Sequence, residues 1–146
     1  MRTIVEFLGS DHHACDDVFA SAEDAVAQQN WDSARSLFER FNAAMAHHLA
    51  MEETVLFPAF EARTGMSAGP TQVMRMEHEQ MRSLLQEMAI AATSADQNRY
   101  LGLSETLNML MQQHNLKEEN MLYPMSDRVL GGECDSLIHA MEAIAL

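Results

Sequence analysis

Six side chains in this 146-residue sequence have the types and spacing of a metal site: His12, His48, Glu52, His78, His114 and Glu118. The segment His48-Leu49-Ala50-Met51-Glu52-Glu53-Thr54-Val55-Leu56-Phe57-Pro58 returns, altered, as His114-Asn115-Leu116-Lys117-Glu118-Glu119-Asn120-Met121-Leu122-Tyr123-Pro124. The offset is 66 residues; five of the eleven positions are identical, and Phe57/Tyr123 is a conservative sixth. The same offset carries Asp11-His12 onto Glu77-His78. Each half of the chain therefore supplies one histidine and, 36 residues later, a second with a glutamate four positions beyond it. Helical residues four apart share a face, so His48 stands over Glu52 and His114 over Glu118. Those faces are otherwise apolar (Phe41, Met45 and Val55; Met111 and Met121). A carboxylate on an apolar stripe is costly to bury unless it is paired or bound to a metal. Mixed imidazole and carboxylate donors suit iron or manganese, with zinc a possible substitute.

The elements that must position these groups are helices. Apolar residues at helical spacing predict a first helix over 2–29 and a second beginning after Asn30-Trp31-Asp32, with Asp32 as its cap. Pro58 is expected to kink or end that second helix. Thr64–Pro70, with two glycines and a proline, reads as a loop. Pro70 then opens a third helix that runs to about Thr93, with Val73 and Met74 turned inward. A fourth follows the turn at Thr93–Asp96 and ends near Pro124, with Met121 and Leu122 inward. No useful stretch alternates with period two. The expected fold is all-α: an antiparallel up-down-up-down four-helix bundle over residues 1–130, with the tail 131–146 as a short helix packed on it.

Residues at one level of an antiparallel hairpin are equidistant from its turn. The midpoint of His12 and His48 is (12 + 48)/2 = 30, and that of His78 and His114 is (78 + 114)/2 = 96; both fall in predicted turns. The midpoint of His48 and His78 is 63, at the edge of the Thr64–Pro70 loop. All four histidines then occupy one layer of the bundle. Four imidazoles and two carboxylates in one layer describe a dinuclear site in which each metal takes two nitrogens and the glutamates bridge.

Composition narrows the function from the other side. A net charge of −13 and a pI near 4.7 argue against binding nucleic acid or an anionic membrane. No apolar run reaches the roughly 20 residues of a membrane span. Charged residues and histidines interrupt the N-terminal apolar stretch too early for a signal peptide. Cys15 and Cys134 do not form the pattern of a secreted disulfide framework. A cytoplasmic protein is expected.

The pattern Asp11-His12, His48-x-x-x-Glu52-Glu53-x-x-Leu56-Phe57-Pro58, Glu77-His78 and His114-x-x-x-Glu118-Glu119-x-x-Leu122-Tyr123-Pro124 resembles the hemerythrin family in its bacterial hemerythrin-like (HHE) branch, over about residues 5–128. The resemblance implies a non-haem di-iron centre, oxo- or hydroxo-bridged, whose ligands are His12, His48, Glu52, His78, His114 and Glu118. It also implies reaction with O2 or a related small molecule such as NO or peroxide. Two features depart from the oxygen carriers. Met74 stands where those carriers have a second histidine on the third helix. Glu118, with Glu119 as reserve, stands near the place of their aspartate. The expectation is therefore a protein that binds or senses such a molecule rather than a dedicated enzyme. The alternatives are a di-iron redox enzyme reducing peroxide or NO, and an iron store or donor. The cluster-repair proteins of this kind carry an additional cysteine-bearing N-terminal segment, which weighs against the donor reading. Glu53, Glu119, Glu77 and Asp11 are candidate acceptors for the ligating imidazoles. Cys15, three residues after His12, is expected to face the site. His13, His47 and His139 are expected outside it.

Overall fold

The computed structural model describes residues 2–145. The outer ends of the two expected segments, Met1 and Leu146, lie outside the described residues. Among the described residues there is no strand, and the fold is a four-helix bundle. Helix α1 spans Ile4–Ala27. The Thr3 hydroxyl accepts from Glu6 N–H at its start, and Asp127 accepts from the backbone of Ile4 and Val5. Four otherwise free N–H groups need such partners. Ile4, Leu8, His12, Cys15, Phe19, Ala22 and Val26 form its buried stripe.

Helix α2 covers Trp31–Met51 and passes through a π-helical turn, Glu52–Leu56, into α3, Phe57–Thr64. The cap is Asn30 rather than Asp32, which lies in the first turn. Pro58 does not end the helix. It falls in the first turn of α3, and the π turn ahead of it closes with Phe57 N–H on Glu52 C=O. Gly65 then stops α3 in a left-handed conformation, at φ +71°. Helix α4, Pro70–Thr93, opens on its proline. Helix α5, Gln97–Lys117, is capped by Asp96, which accepts from Arg99 N–H. It too passes through a π turn, Glu118–Leu122, into α6, Tyr123–Leu130. A 3-10 turn at Gly131–Glu133 leads to α7, Cys134–Glu142.

Two apolar clusters sandwich the histidine layer. One, toward the α1–α2 and α4–α5 turns, contains Phe19, Phe38, Phe41, Met88, Tyr100 and Leu107. The other contains Leu8, Met51, Phe57, Phe60, Met74, Tyr123 and the inner face of α7, including Ile138 and Met141. Met74 and Leu8, equivalent under the 66-residue offset, are buried together there. Val73 and Met121 do not face inward: they are 46% and 61% exposed. At Met121 the π turn shifts the helical phase, so that Leu122 takes the inner position. No described helix is long and apolar enough to cross a membrane.

Candidate metal centre

The bundle brings all six predicted residues into one buried layer. His12, His48, His78 and His114 are buried, and Glu52 and Glu118 have no exposed surface at all. The rings pair as the repeat demands: His12 with His48 at 4.6 Å between centroids, and His78 with His114 at 5.0 Å. Glu52, His78, His114 and Glu118 offer donor atoms within 4.8 Å of one another, and so do His12, His48 and Glu118.

The orientation of the donors decides what they are for. His78 Nε2 lies 3.0 Å from Glu52 Oε1, and His114 Nε2 lies 3.2 Å from Glu118 Oε2. Yet all four atoms are buried without an aligned hydrogen bond. They crowd together within the layer without pairing with one another. Neighbouring donors of one ion, with bonds of about 2.1 Å, lie about 3 Å apart, so these spacings match edges of a coordination shell. Protein interiors rarely leave buried polar atoms unpaired, and a cation at the centre satisfies all four.

The outer ring nitrogens are fixed just as deliberately. His12 Nδ1–H donates to Glu119 Oε2 at 2.7 Å, and His78 Nδ1–H to Glu53 Oε2 at 2.8 Å. His48 Nδ1–H donates to Asp11 Oδ2 at 2.7 Å, and His114 Nδ1–H to Glu77 Oε1 at 2.8 Å. A carboxylate only accepts, so each Nδ1 carries the proton and each Nε2 turns inward, the tautomer that metal ligation requires. Glu53 and Glu119 thus face neighbouring helices rather than the centre. Among the other histidines, His13 is exposed and His139 lies at the surface. His47 is half-buried and donates to Ile144 C=O.

The charges report how strongly negative the centre is. Burial alone would lower the pKa of His12, but Glu118, Glu119 and Glu52 raise it to about 9. His78 is likewise raised to about 9 against burial, by Glu52, Glu53 and Glu118. Burial and the neighbouring Glu118 push Glu52 upward. Against burial, the neighbouring Glu52, His114 and His12 side chains hold Glu118 well below the usual carboxylate range. The centre gathers protons for the reason it would gather cations: its carboxylates are desolvated and close together.

One residue of this site was not foreseen. The Tyr123 hydroxyl lies 2.6 Å from Glu52 Oε2, 2.9 Å from Glu118 Oε1, 3.1 Å from His12 Nε2 and 3.5 Å from His48 Nε2. In a regular helix a residue five beyond Glu118 sits about 140° round the axis. The π turn brings it back to the face of Glu118. Its repeat equivalent, Phe57, stacks on His78 at 5.5 Å as Tyr123 stacks on His12 at 5.6 Å. The available signal was that the one chemical change within the Phe57/Tyr123 pair adds a hydroxyl.

Above the layer, His12, His48 and His114 floor a small pocket of about 10 Å³ lined by Cys15, Met45, Met81 and Met111 and by the half-buried Asp16 and Asn115. Burial, with Asp11 and Asp16, pushes the Cys15 thiol up to about 12. A wider groove of about 370 Å³ runs along Arg2, Phe7 and Ser10 and reaches the site only at Asp11.

Comparison with known proteins agrees with this geometry. The family model of the hemerythrin HHE cation-binding domain matches residues 3–126. The iron-sulfur cluster repair protein YtfE of Musicola paradisiaca (strain Ech703) is 33% identical over 99 residues, covering 61% of this chain. The matched part is 43% of that relative, so the chain aligns with less than half of its length. No solved structure matches the chain.

Proposed function

Because the chain belongs to the hemerythrin HHE cation-binding domain family, we propose that its centre holds two iron ions and binds O2 or a related small molecule, NO or peroxide. His12 and His48 serve one ion and His78 and His114 the other, with Glu52 and Glu118 between them. The observation that carries this reading is the set of four buried donor atoms, Glu52 Oε1, His78 Nε2, His114 Nε2 and Glu118 Oε2, that lie in one layer without hydrogen-bond partners. Bound iron would supply a redox couple and open coordination positions. The chain's own groups do the rest. Asp11, Glu53, Glu77 and Glu119 hold the imidazoles in the ligating tautomer. The pocket over the layer, about 10 Å³, is the size of roughly one water, which suits a diatomic or peroxide better than an organic substrate.

The test is to load metal-free protein with ferrous iron under anaerobic conditions and measure bound iron, then to admit O2 and follow the visible spectrum. Two irons per chain and a band that bleaches on degassing are expected. Prompt conversion to ferric protein would replace binding by redox turnover as the function. Absence of bound iron, or retention unaffected by Glu52→Ala, would remove the reading.

A second reading is iron donation, and one observation favours it: the similar protein from Musicola paradisiaca is described as an iron-sulfur cluster repair protein. The burial of Glu52 and Glu118 makes slow release the expectation. Fast transfer of iron to a competing chelator would favour donation.

A further inference from the structure

The Tyr123 hydroxyl has one proton, yet four predicted ligand atoms surround it, three of them within 3.1 Å. A single O–H can donate to only one of them at a time. As a structural hydrogen bond the arrangement is over-supplied with acceptors. As a corner of a coordination shell it is complete. In an octahedral shell every donor has four neighbours, about 3 Å away for bonds of about 2.1 Å. The neighbours of Tyr123 Oη are His12 Nε2, His48 Nε2, Glu52 Oε2 and Glu118 Oε1, the four atoms available to the first ion. The ring is held from behind by the apolar cluster of Leu8, Phe57 and Leu122, and Tyr123 has no exposed surface.

We propose that Tyr123 is a seventh protein ligand, bound through its phenolate oxygen to the iron held by His12 and His48. Ligation exchanges the O–H proton for the bond to iron, and the proton leaves to bulk water; no electron moves. At the equivalent place beside His78, Phe57 offers only carbon. The two ions would thereby be unequal: the first gains a protein oxygen that the second, beside the stacked ring of Phe57, lacks. The inference rests on the di-iron reading and deepens it, since it names a ligand that distinguishes the two ions.

The protein makes the test clean, because it has two tyrosines. Tyr100 lies in the other apolar cluster, against Phe38, and its hydroxyl has no partner there. Metal-free wild type, Tyr123→Phe and Tyr100→Phe are loaded anaerobically with ferrous iron and oxidised with ferricyanide. Bound iron, the visible charge-transfer band and the resonance Raman ring modes of a ferric phenolate are then measured. Wild type and Tyr100→Phe are expected to show the band and ring modes, and Tyr123→Phe to lose both while still binding iron. If Tyr123→Phe fails to fold, modes retained in Tyr100→Phe assign the phenolate to Tyr123 by elimination. Iron-loaded wild type without phenolate modes, or modes that survive in Tyr123→Phe, would overturn the inference and leave the di-iron reading standing. No bound iron in any of the three would overturn both.

Discussion

The two halves of the centre agree from the inside outward and then diverge. His12 and His78 stack on Tyr123 and Phe57, and donate to Glu119 and Glu53. His48 and His114 donate to Asp11 and Glu77. Every one of these pairs is related by the 66-residue offset. One layer further out the relation fails. Arg82 binds both oxygens of Glu53, at 2.7 and 2.9 Å, and Lys117 pairs with Glu77. The equivalents of those cations are Asp16 and Met51, and among the described residues no Lys or Arg pairs with Glu119 or Asp11. The repeat thus preserves what ligation geometry requires and relaxes what only tunes charge. A twofold site in shape is a one-sided site in potential.

The shared inner layer predicts the largest effects. If the centre holds two ions as proposed, Glu52→Ala and Glu118→Ala would each remove a carboxylate that both ions share, so both should be lost together. Iron measured after gel filtration of loaded variants is expected to fall to background. Retention of one tightly held ion by either variant would show that the glutamates serve separate ions.

The next layer should act one ion at a time. Removing a carboxylate that orients a metal-bound imidazole typically costs about 10–100-fold in affinity. Glu119→Ala is expected to weaken the His12/His48 position by that factor, and Glu53→Ala the His78/His114 position. Competitive titration against a chelator should then resolve one tight and one weak ion in each variant. Uniform weakening of both ions would mean that the halves are mechanically coupled.

The divergent outer layer predicts shifts of opposite sign. One unit charge beyond the imidazoles is worth roughly 1 kcal/mol at a protein's effective dielectric, or about 40 mV for a one-electron couple. Arg82→Met deletes a positive charge and should lower the potential, because the ferric state gains most from a more negative surrounding. Asp16→Asn, at the repeat-equivalent position, deletes a negative charge and should raise it. Mediated potentiometry of iron-loaded variants reads both. Two shifts of the same sign would place the origin of the asymmetry elsewhere than in these charges.

What could be read in advance followed from periodicity. The ligand spacing, the antiparallel pairing and the coplanar histidines all depend on residues counted along regular helices. So did the acidic neighbours, since an offset that pairs Glu53 with Glu119 and Asp11 with Glu77 needs no coordinates. What escaped was set where regular helix fails. The π turns at Glu52–Leu56 and Glu118–Leu122 carry the chain past prolines that would otherwise stop it, and they rotate Tyr123 into the centre and Met121 out of it. Counting at 100° per residue cannot find them, because their cost is met by tertiary packing rather than by any local signal. The exposed Val73 is a simpler miss: it lies about 100° round the helix from the buried Met74, on the solvent side. Asn30 displaced Asp32 as the cap because the α1 ending fixes the position of the turn.

That ending supplies the smallest effect, and it tests how deep the repeat goes. Helix α1 closes with Asn30 N–H on Ala25 C=O, and α4 with Asp96 N–H on Ala91 C=O, each 2.9 Å. Between them stand Gln29 at φ +58° and Ala95 at φ +54°. This is the left-handed helix ending in which glycine is favoured, because a β-carbon there meets the following carbonyl at a cost of about 1–2 kcal/mol. Glycine removes that strain but widens the unfolded ensemble by about 0.4–1 kcal/mol. The net expectation for Ala95→Gly is a gain of about 0.5 kcal/mol, and less for Gln29→Gly, which also gives up the hydrogen bond from Gln29 Nε2 to Gln97 Oε1 at 2.9 Å. Ala91→Gly, four residues back within the regular helix, should instead lose about 1 kcal/mol. Urea midpoints of the metal-free proteins, at an unchanged slope, give all three. Gains at both 29 and 95 would show that the repeat extends to backbone strain in the turns, whereas a loss at either would mean that its side chain holds the turn by contacts the other half lacks.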